Sequence, residues 1–363
     1  MKVLHILYSG LGGHGNVFFS MVNADIEKCF TYEGLFVGIE DMREEYKERC
    51  NNLAIPYSFI KKDGGKHLNF FYEIYRAVRK SDAEIIFIHG GVQFPPAWLA
   101  KVLSGKKRKL VVRETQALHL KAEREKIALS LAMRLADNVV FLSDAYNKQI
   151  KSDFGRSYNA KIAKVIPNGI DLNIFKPVQR IPDEIIRIGM QSRIVAIKDH
   201  LTLIDAFDEV KKRCPTQKIK LYIAGDGDKK TELENKVRDL QLHEDIVFEG
   251  MLPEKDLASF LAKLDIYVHA SFGETMSTAI MQAMACGKAI VASDVDGINN
   301  MIEDKKTGLL VKIKDVSEMA DALESLIKDK QLKNSLEEEA LKVAQEKFSD
   351  RQMFLKYKTV FQS

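Results

Sequence analysis

Short β-branched runs alternate with amphipathic stretches from one end of this chain to the other, and no other feature narrows its fold as much. Val3 to Tyr8, Gly34 to Ile39, Glu84 to Ile88, Leu110 to Arg113, Asn138 to Leu142 and Ala163 to Ile166 read as strands with helix-period sequence between them. Strands separated by helices pair parallel, because each return needs a crossover, and the helices then cover the sheet. After Ile166 the period is lost in Pro167-Asn-Gly-Ile-Asp-Leu-Asn-Ile-Phe-Lys-Pro177 and Pro182, a run of turn formers. The alternation then restarts at Ile185 to Met190, Ile219 to Ala224, Ile246 to Phe248, Ile266 to His269, Ala289 to Ala292 and Gly308 to Val311. The expected fold is α/β, with two Rossmann-like, doubly wound halves in series. Residues 1–170 form the first, 171–184 a linker, 185–345 the second, and 346–363 a closing helix. A length of 363 residues at about 150 per domain agrees with two domains. Such sheets take ligands at the carboxyl ends of their strands, so two facing halves would make an interdomain cleft.

The longest apolar runs, such as Glu84-Ile-Ile-Phe-Ile and Ala289-Ile-Val-Ala, are strand-sized and fall short of the ~20 residues a membrane helix needs. The first ten residues hold an apolar core too short for a signal peptide and read as the first strand. Cys29, Cys50, Cys214 and Cys286 are scattered without a C-x-x-C pair, which argues against structural zinc and disulfides and for a cytoplasmic location. Net charge is uneven: residues 1–170 carry 26 Lys and Arg against 18 Asp and Glu, and the remainder 29 against 33. Part of the basic excess lies between Lys101 and Lys126, where Lys106-Lys-Arg-Lys109 is followed by Arg113, Lys121, Arg124 and Lys126. A cluster of this kind suits an anionic membrane surface or a phosphate-bearing substrate, and equally a solvated loop. No aromatics are interleaved with it, so nucleic acid is not an expected partner.

Four kinds of motif could carry chemistry. Gly10-Leu-Gly12-Gly13-His14-Gly15 follows the first strand, opens a helix and has Glu40 at the end of the next strand, a formal dinucleotide fingerprint. Read alone it points to an NAD-dependent oxidoreductase; physically it serves any diphosphate that a backbone and a helix amino terminus can approach. Arg193 and Lys198 follow the first strand of the second half, where an Arg fork and a Lys point charge could stabilise a departing diphosphate. Ala224-Gly-Asp-Gly-Asp228 and Ser293-Asp-Val-Asp296 each hold a D-x-D, but in strand-to-helix turns, where Asp usually caps, and no His/Cys cluster has metal spacing. No metal or other cofactor is therefore expected. In the fourth, His269 to Gly287, a strand ends, a loop carries Glu274, and a helix of small residues starts near Thr275. Its first amides, around Met276, Ser277 and Thr278, would face an anion, and Gln282 returns to the face of Glu274. His5 reads as core, His119, His200 and His243 as solvent, and His89, at a strand end beside Gly90-Gly91, as a residue on the cleft.

Several of these segments recur in order. Val165-Ile-Pro-Asn-Gly-Ile-Asp171 with Phe175 and Pro177, Ser192-Arg193 with Lys198, Leu221 to Gly227, Val247-Phe-Glu-Gly250, Ala270-Ser271 with Glu274, Ala283 to Gly287 and Lys306 to Val311 resemble the retaining glycosyltransferases of family 4. The resemblance is close over residues 165–311 and loose before them. It implies the GT-B fold and transfer of a sugar from a nucleotide diphosphate donor, UDP-sugar before GDP-sugar, to a saccharide or lipid-diphosphate-linked acceptor. It further implies that Arg193 and Lys198 bind the diphosphate, that Glu274 holds sugar hydroxyls, and that Met276, Ser277 and Thr278 meet phosphate. Gly250, Met251 and Leu252 would line the base, Gly12 and Gly13 would close over the diphosphate, His89 would stand beside the reacting sugar, and the last helix would cross back to the first half. Three positions depart from the pattern. Gln282 stands where the family has a ribose-binding Glu, Asp296-Gly-Ile-Asn-Asn300 replaces G-G-I-P-E, and His14-Gly15-Asn16 lacks an acidic residue after the glycine turn. The first departure leaves open a nucleotide-sugar-binding protein without turnover. The basic first half and the missing membrane helix fit a cytoplasmic protein on the inner membrane face.

Overall fold

The computed structural model describes residues 1–10, 13–63, 67–179 and 183–363. The chain divides into two units, Met1–Gly169 with Asp350–Ser363, and Ile170–Ser349. In the first, β1 (Lys2–Tyr8), β2 (Thr31–Gly38), β3 (Tyr57–Lys61), β4 (Ile85–His89), β5 (Lys109–Arg113), β6 (Asn138–Phe141) and β7 (Ala163–Val165) form one sheet in the order β3-β2-β1-β4-β5-β6-β7. Every pairing is parallel. The period of two in the strands sorts their apolar residues onto two faces. Val3, Leu7, Phe36 and Phe87 enter one core with helix Gly13–Ala24; Leu4, Ile6, Ile86 and Ile88 enter the other with helices Phe94–Leu103 and Glu123–Leu135. β3 is the strand that the hydrophobic pattern missed. It lies at the sheet edge after Pro56 and is mostly exposed, so its sequence carries no apolar run.

In the second unit, β8 (Ile185–Gln191), β9 (Lys218–Ala224), β10 (Ile246–Gly250), β11 (Ile266–His269), β12 (Ala289–Ser293) and β13 (Leu309–Val311) pair in the order β10-β9-β8-β11-β12-β13, again all parallel. Chain order reverses beside β1 in the first sheet and beside β8 in the second. The carboxyl ends of β1 and β4, and of β8 and β11, are therefore the switch points where doubly wound sheets take ligands.

Two expected boundaries move. Residues 170–175 are not a free connector: Ile170 and Phe175 are buried in a core of the second unit, and the Ile170 N–H donates to the Phe348 carbonyl. Residue 346 lies inside helix Lys330–Lys347, whose end is fixed by buried Phe348, and the closing helix is Asp350–Gln362. That helix packs on the first unit. Phe354 and Phe361 meet Phe30, Tyr357 meets Phe87, Lys109 Nζ donates to the Val360 carbonyl at 2.8 Å, and Arg351 donates to the Ala24 carbonyl at 2.8 Å. Phe354→Ala should therefore destabilise the protein by about 3–5 kcal/mol, and exposed Leu355→Ala by less than about 0.5 kcal/mol. Urea unfolding checks the contrast; equal effects would contradict this packing.

Candidate functional site

The site of the second unit is built at the ends of β8 and β11. From Gln191 the chain enters a loop, 192–199, that is tied down on two sides. The Ile194 N–H donates to the Asp226 carbonyl at 2.8 Å, and the Ile197 carbonyl accepts from the Phe272 N–H at 2.9 Å and from Ser271 Oγ at 3.2 Å. Gly225 and Gly227 permit the first approach: a Cβ would lie 1.8 Å from the Ser192 carbonyl at Gly225, where φ is +152°, and 2.2 Å from the Ile194 carbonyl at Gly227. Within the D-x-D of this turn, Asp226 Oδ1 accepts the Gly227 N–H. Asp199 caps helix His200–Arg213. His200 is buried, not solvated as expected; its Nδ1–H donates to the Lys198 carbonyl at 2.9 Å, and its Nε2 lies 3.1 Å from Ser192 Oγ.

This scaffold brings Lys198 against Glu274 in an ion pair, with the two side chains 12% and 17% exposed. His269, at the end of β11, joins them: Nε2 is 2.9 Å from Glu274 Oε1 and 3.4 Å from Lys198 Nζ, and Nδ1 is 3.2 Å from the Tyr267 hydroxyl. Burial and, after it, the Arg193 charge pull the Lys198 ammonium pKa down to about 7. Arg193 is exposed on the same loop. Opposite, Gly297 has φ +88°, and a Cβ there would lie 2.3 Å from the Glu274 carbonyl, so glycine lets turn 294–300 brace the Glu274 backbone.

The helix after Glu274 starts later than expected. Ser277 is its cap, accepting from the Ile280 N–H, and the helix runs Thr278–Ala285, so Thr278 and Ala279 present the N–H groups without intrahelical partners. Ser277, as the cap, adds a further N–H that no helical carbonyl takes, and Met276 lies before the helix. Gln282 is 3% exposed and takes its hydrogen bond from Gln191 Nε2, with no hydrogen bond to Glu274. Gly250 ends β10 at φ +70° and its carbonyl accepts from the Gly225 N–H; Met251 after it is exposed and Leu252 half-buried. Sequence reasoning missed His269, Tyr267, Gln191 and Gly297. The available signal was their place: Gln191 and His269 end the two strands of the switch point.

In the first unit, His89 does not stand open to a ligand. It is 2% exposed, Arg113 Nη1 donates to its Nδ1 at 3.2 Å, and its Nε2 lies 3.0 Å from His5 Nδ1. Both ring nitrogens are spent on the protein, so His89 links buried Arg113 to His5; Asn168 accepts from the same guanidinium. His14 meets Thr115 Oγ1 at 2.9 Å. Gly12 lies outside the described residues, and a Cβ on Gly13 would meet nothing within 4 Å. Gly10 and Gly15 are glycines for packing, against Glu40 and Tyr46. Glu40 itself accepts from the Tyr8 hydroxyl at 2.8 Å, which engages the carboxylate that a dinucleotide reading assigns to ribose. The basic run between Lys101 and Lys126 is partly internal. Arg108, Arg113 and Lys121 are buried, Lys121 pairs with Glu114 at 2.7 Å, Lys101 with Asp137 and Lys126 with Glu123, and Lys109 holds the closing helix. Lys106, Lys107 and Arg124 remain exposed. Among the described residues no three His, Cys, Asp or Glu side chains are grouped to hold a metal, and no helix is long and apolar enough to cross a membrane.

Burial holds the His5 imidazole down at about 3 and His200 at about 4, with His89 and His269 also well below the usual range. Unfolded imidazoles take up protons near 6.5, so below that pH protons favour the unfolded chain. Stability should be full above about pH 6.5 and fall on acidification, approaching about 1.4 kcal/mol per pH unit for each such histidine. Urea midpoints between about pH 7.5 and 5 check this, and a flat profile would contradict it.

Comparison with known proteins bears on both units. Residues 13–174 match the family model described as Glycosyltransferase Family 4, and residues 185–329 the one described as Glycosyl transferases group 1. The chain is 30% identical over 182 residues to a D-inositol 3-phosphate glycosyltransferase of Paenarthrobacter aurescens, covering 47% of this chain and 45% of that protein. To the alpha-monoglucosyldiacylglycerol synthase of Streptococcus pneumoniae it is 28% identical, over 45% and 40% of the two chains. The match thus spans about half the length of these curated relatives. A glycosyltransferase of Methanocaldococcus jannaschii is 27% identical over 71% of this chain and 69% of its own. Among solved structures, Anabaena HepE in complex with UDP and glucose superposes with a TM-score of 0.82 over 100% of this chain and 99% of its own, at 21% identity. Sucrose-phosphate synthase of Thermosynechococcus elongatus does so with 0.79 over 100% and 98%, at 16% identity. With one family model on each unit and the fold shared throughout, this chain belongs to the family 4, group 1 glycosyltransferases and has their GT-B fold.

Proposed function

We infer that this protein is a retaining glycosyltransferase that moves a hexosyl or N-acetylhexosaminyl group from a UDP-sugar, or a GDP-sugar as second choice, to an acceptor hydroxyl. The observation that carries the reading is the corner of Arg193, Lys198, Glu274 and the Thr278 helix start at the ends of β8 and β11. Cations and amides there suit a diphosphate, and the carboxylate suits sugar hydroxyls. HepE, of the same fold, is known with UDP and glucose. In the step we propose, the bond from the anomeric carbon to the diphosphate oxygen breaks and the bond to the acceptor oxygen forms on the same face. The acceptor proton passes to the departing phosphate, while Arg193 and Lys198 stabilise its charge. The charge is met by side chains and backbone, so the step calls for no metal.

For the acceptor we propose a saccharide or a lipid-diphosphate-linked glycan of bacterial surface polysaccharide or lipopolysaccharide assembly, met at the inner membrane face. The basic run supports this less than the surface beside it does. Leu99, Val102 and Leu103 of helix Phe94–Leu103 and Ile127, Leu131 and Leu135 of helix Glu123–Leu135 are exposed on the outer side of one layer, next to Lys106, Lys107 and Arg124. Aliphatic residues with a cationic margin fit an anionic bilayer.

Of UDP, GDP, ADP, CMP and NAD at millimolar concentration, UDP should raise the thermal midpoint most. A ligand at 100 times its dissociation constant stabilises by about 2.7 kcal/mol, and Arg193→Ala should abolish the shift. A shift with NAD alone would overturn the reading. Vesicles containing phosphatidylglycerol should carry the protein in flotation at low salt, and Leu99→Gln/Leu103→Gln should release it. Failure of the wild type to float, or a dimer that the double variant dissociates, would overturn the membrane assignment.

A further inference from the structure

Among the described residues, Glu274 Oε1 takes both protein contacts of that carboxylate, from Lys198 Nζ and His269 Nε2, and Oε2 takes none. The two donors differ. Lys198 is an ammonium that an anionic ligand would compete for, whereas His269 is buried among the protein's own groups. The groups on either side of His269 decide where its single ring proton sits. Tyr267 is fully buried, and burial raises its phenol so that the hydroxyl stays protonated. That hydroxyl lies 3.2 Å from His269 Nδ1 and 3.4 Å from the Gln191 carbonyl, while Nε2 lies 2.9 Å from Glu274 Oε1, a carboxylate oxygen that can only accept. Nδ1 therefore accepts and the proton is on Nε2, which faces Glu274. The two rings stack at 6.2 Å with 25° between planes, which limits rotation of the imidazole.

We propose that His269 is a positioning residue: hydrogen bonds from Tyr267 to His269 and from His269 to Glu274 fix Oε1, so that Oε2 is presented to a ligand hydroxyl even when a phosphate draws Lys198 away. The proposal rests on the reading of Glu274 as the sugar-binding carboxylate. A neutral donor suits this task, because it anchors the carboxylate without cancelling the charge that makes it a strong acceptor. A second ammonium would cancel it.

UDP and UDP-glucose are the probes. His269→Leu should leave UDP affinity within about twofold and lower kcat/KM for UDP-glucose by at least about tenfold, the loss carried by one hydrogen bond to a charged group. His269→Gln keeps an N–H donor and should recover most of that loss, and Tyr267→Phe should lose less than His269→Leu. Unchanged kcat/KM in His269→Leu, or equal losses for UDP and UDP-glucose, overturns the proposal. Nitrogen-15 NMR of histidine-labelled protein tests it without turnover. A neutral His269 protonated at Nε2 is expected, and protonation at Nδ1 overturns the proposal even where transfer is confirmed. A protein with the Nε2–H form that neither binds UDP nor turns over a nucleotide sugar would instead overturn the transferase reading and leave the hydrogen-bond arrangement supported.

Discussion

Lys198 and Glu274 are each largely withdrawn from water, and each makes the other tolerable there. Removing one partner of such a pair typically costs about 3–5 kcal/mol, because the survivor is a charge without compensation. The surroundings follow from that need. Loop 192–199 is laced to turn 225–227 and to residues 270–272, Gly297 braces the Glu274 backbone, and His269 adds a neutral hydrogen bond to the carboxylate. Arranged this way, the pair is a stored site for opposite charges. An anion can take the ammonium and a hydroxyl can take the carboxylate, and a phosphorylated sugar supplies both.

The first unit solves a different problem at the matching place in its sheet. Arg113 ends β5 fully buried; it donates to His89 and Asn168, and the Tyr357 phenol of the closing helix and the Glu114 carboxylate act on its charge. Beyond burial, which is the larger cause, this buried cation keeps nearby imidazoles unprotonated, the direction found for His5 and His89. It also ties three distant stretches of chain, β5, the Pro167-Asn168-Gly169 turn and the last helix, into one unit. The return of the last helix to the first unit is thus held by polar contacts as well as by Phe354 and Phe361.

Much of the fold was legible because parallel strands buried on both faces write themselves as runs of apolar residues; among the described residues twelve of the thirteen strands stand at or beside such a run. β3 does not, since an edge strand buries too little. The site was legible as motifs but not as contacts. Arg193, Lys198 and Glu274 announced themselves by type and place, yet their spacing could not show that Lys198 and Glu274 pair with each other. His269 was passed over as the end of a strand, and Gln282 was read as facing the ligand when Gln191 holds it. Charge counts do not distinguish a solvated lysine from Lys121, which is buried against Glu114. Composition sees charge, and only packing sees where the charge goes.

The central claim is that Glu274 serves the sugar rather than the fold. UDP release from UDP-glucose by wild type and Glu274→Gln, with UDP affinity measured on both proteins, tests it most directly. The amide conserves shape and removes the charge, so the account predicts a loss of about 100-fold or more in turnover with UDP binding largely kept. Turnover equal to wild type, or UDP binding lost together with turnover, would contradict it.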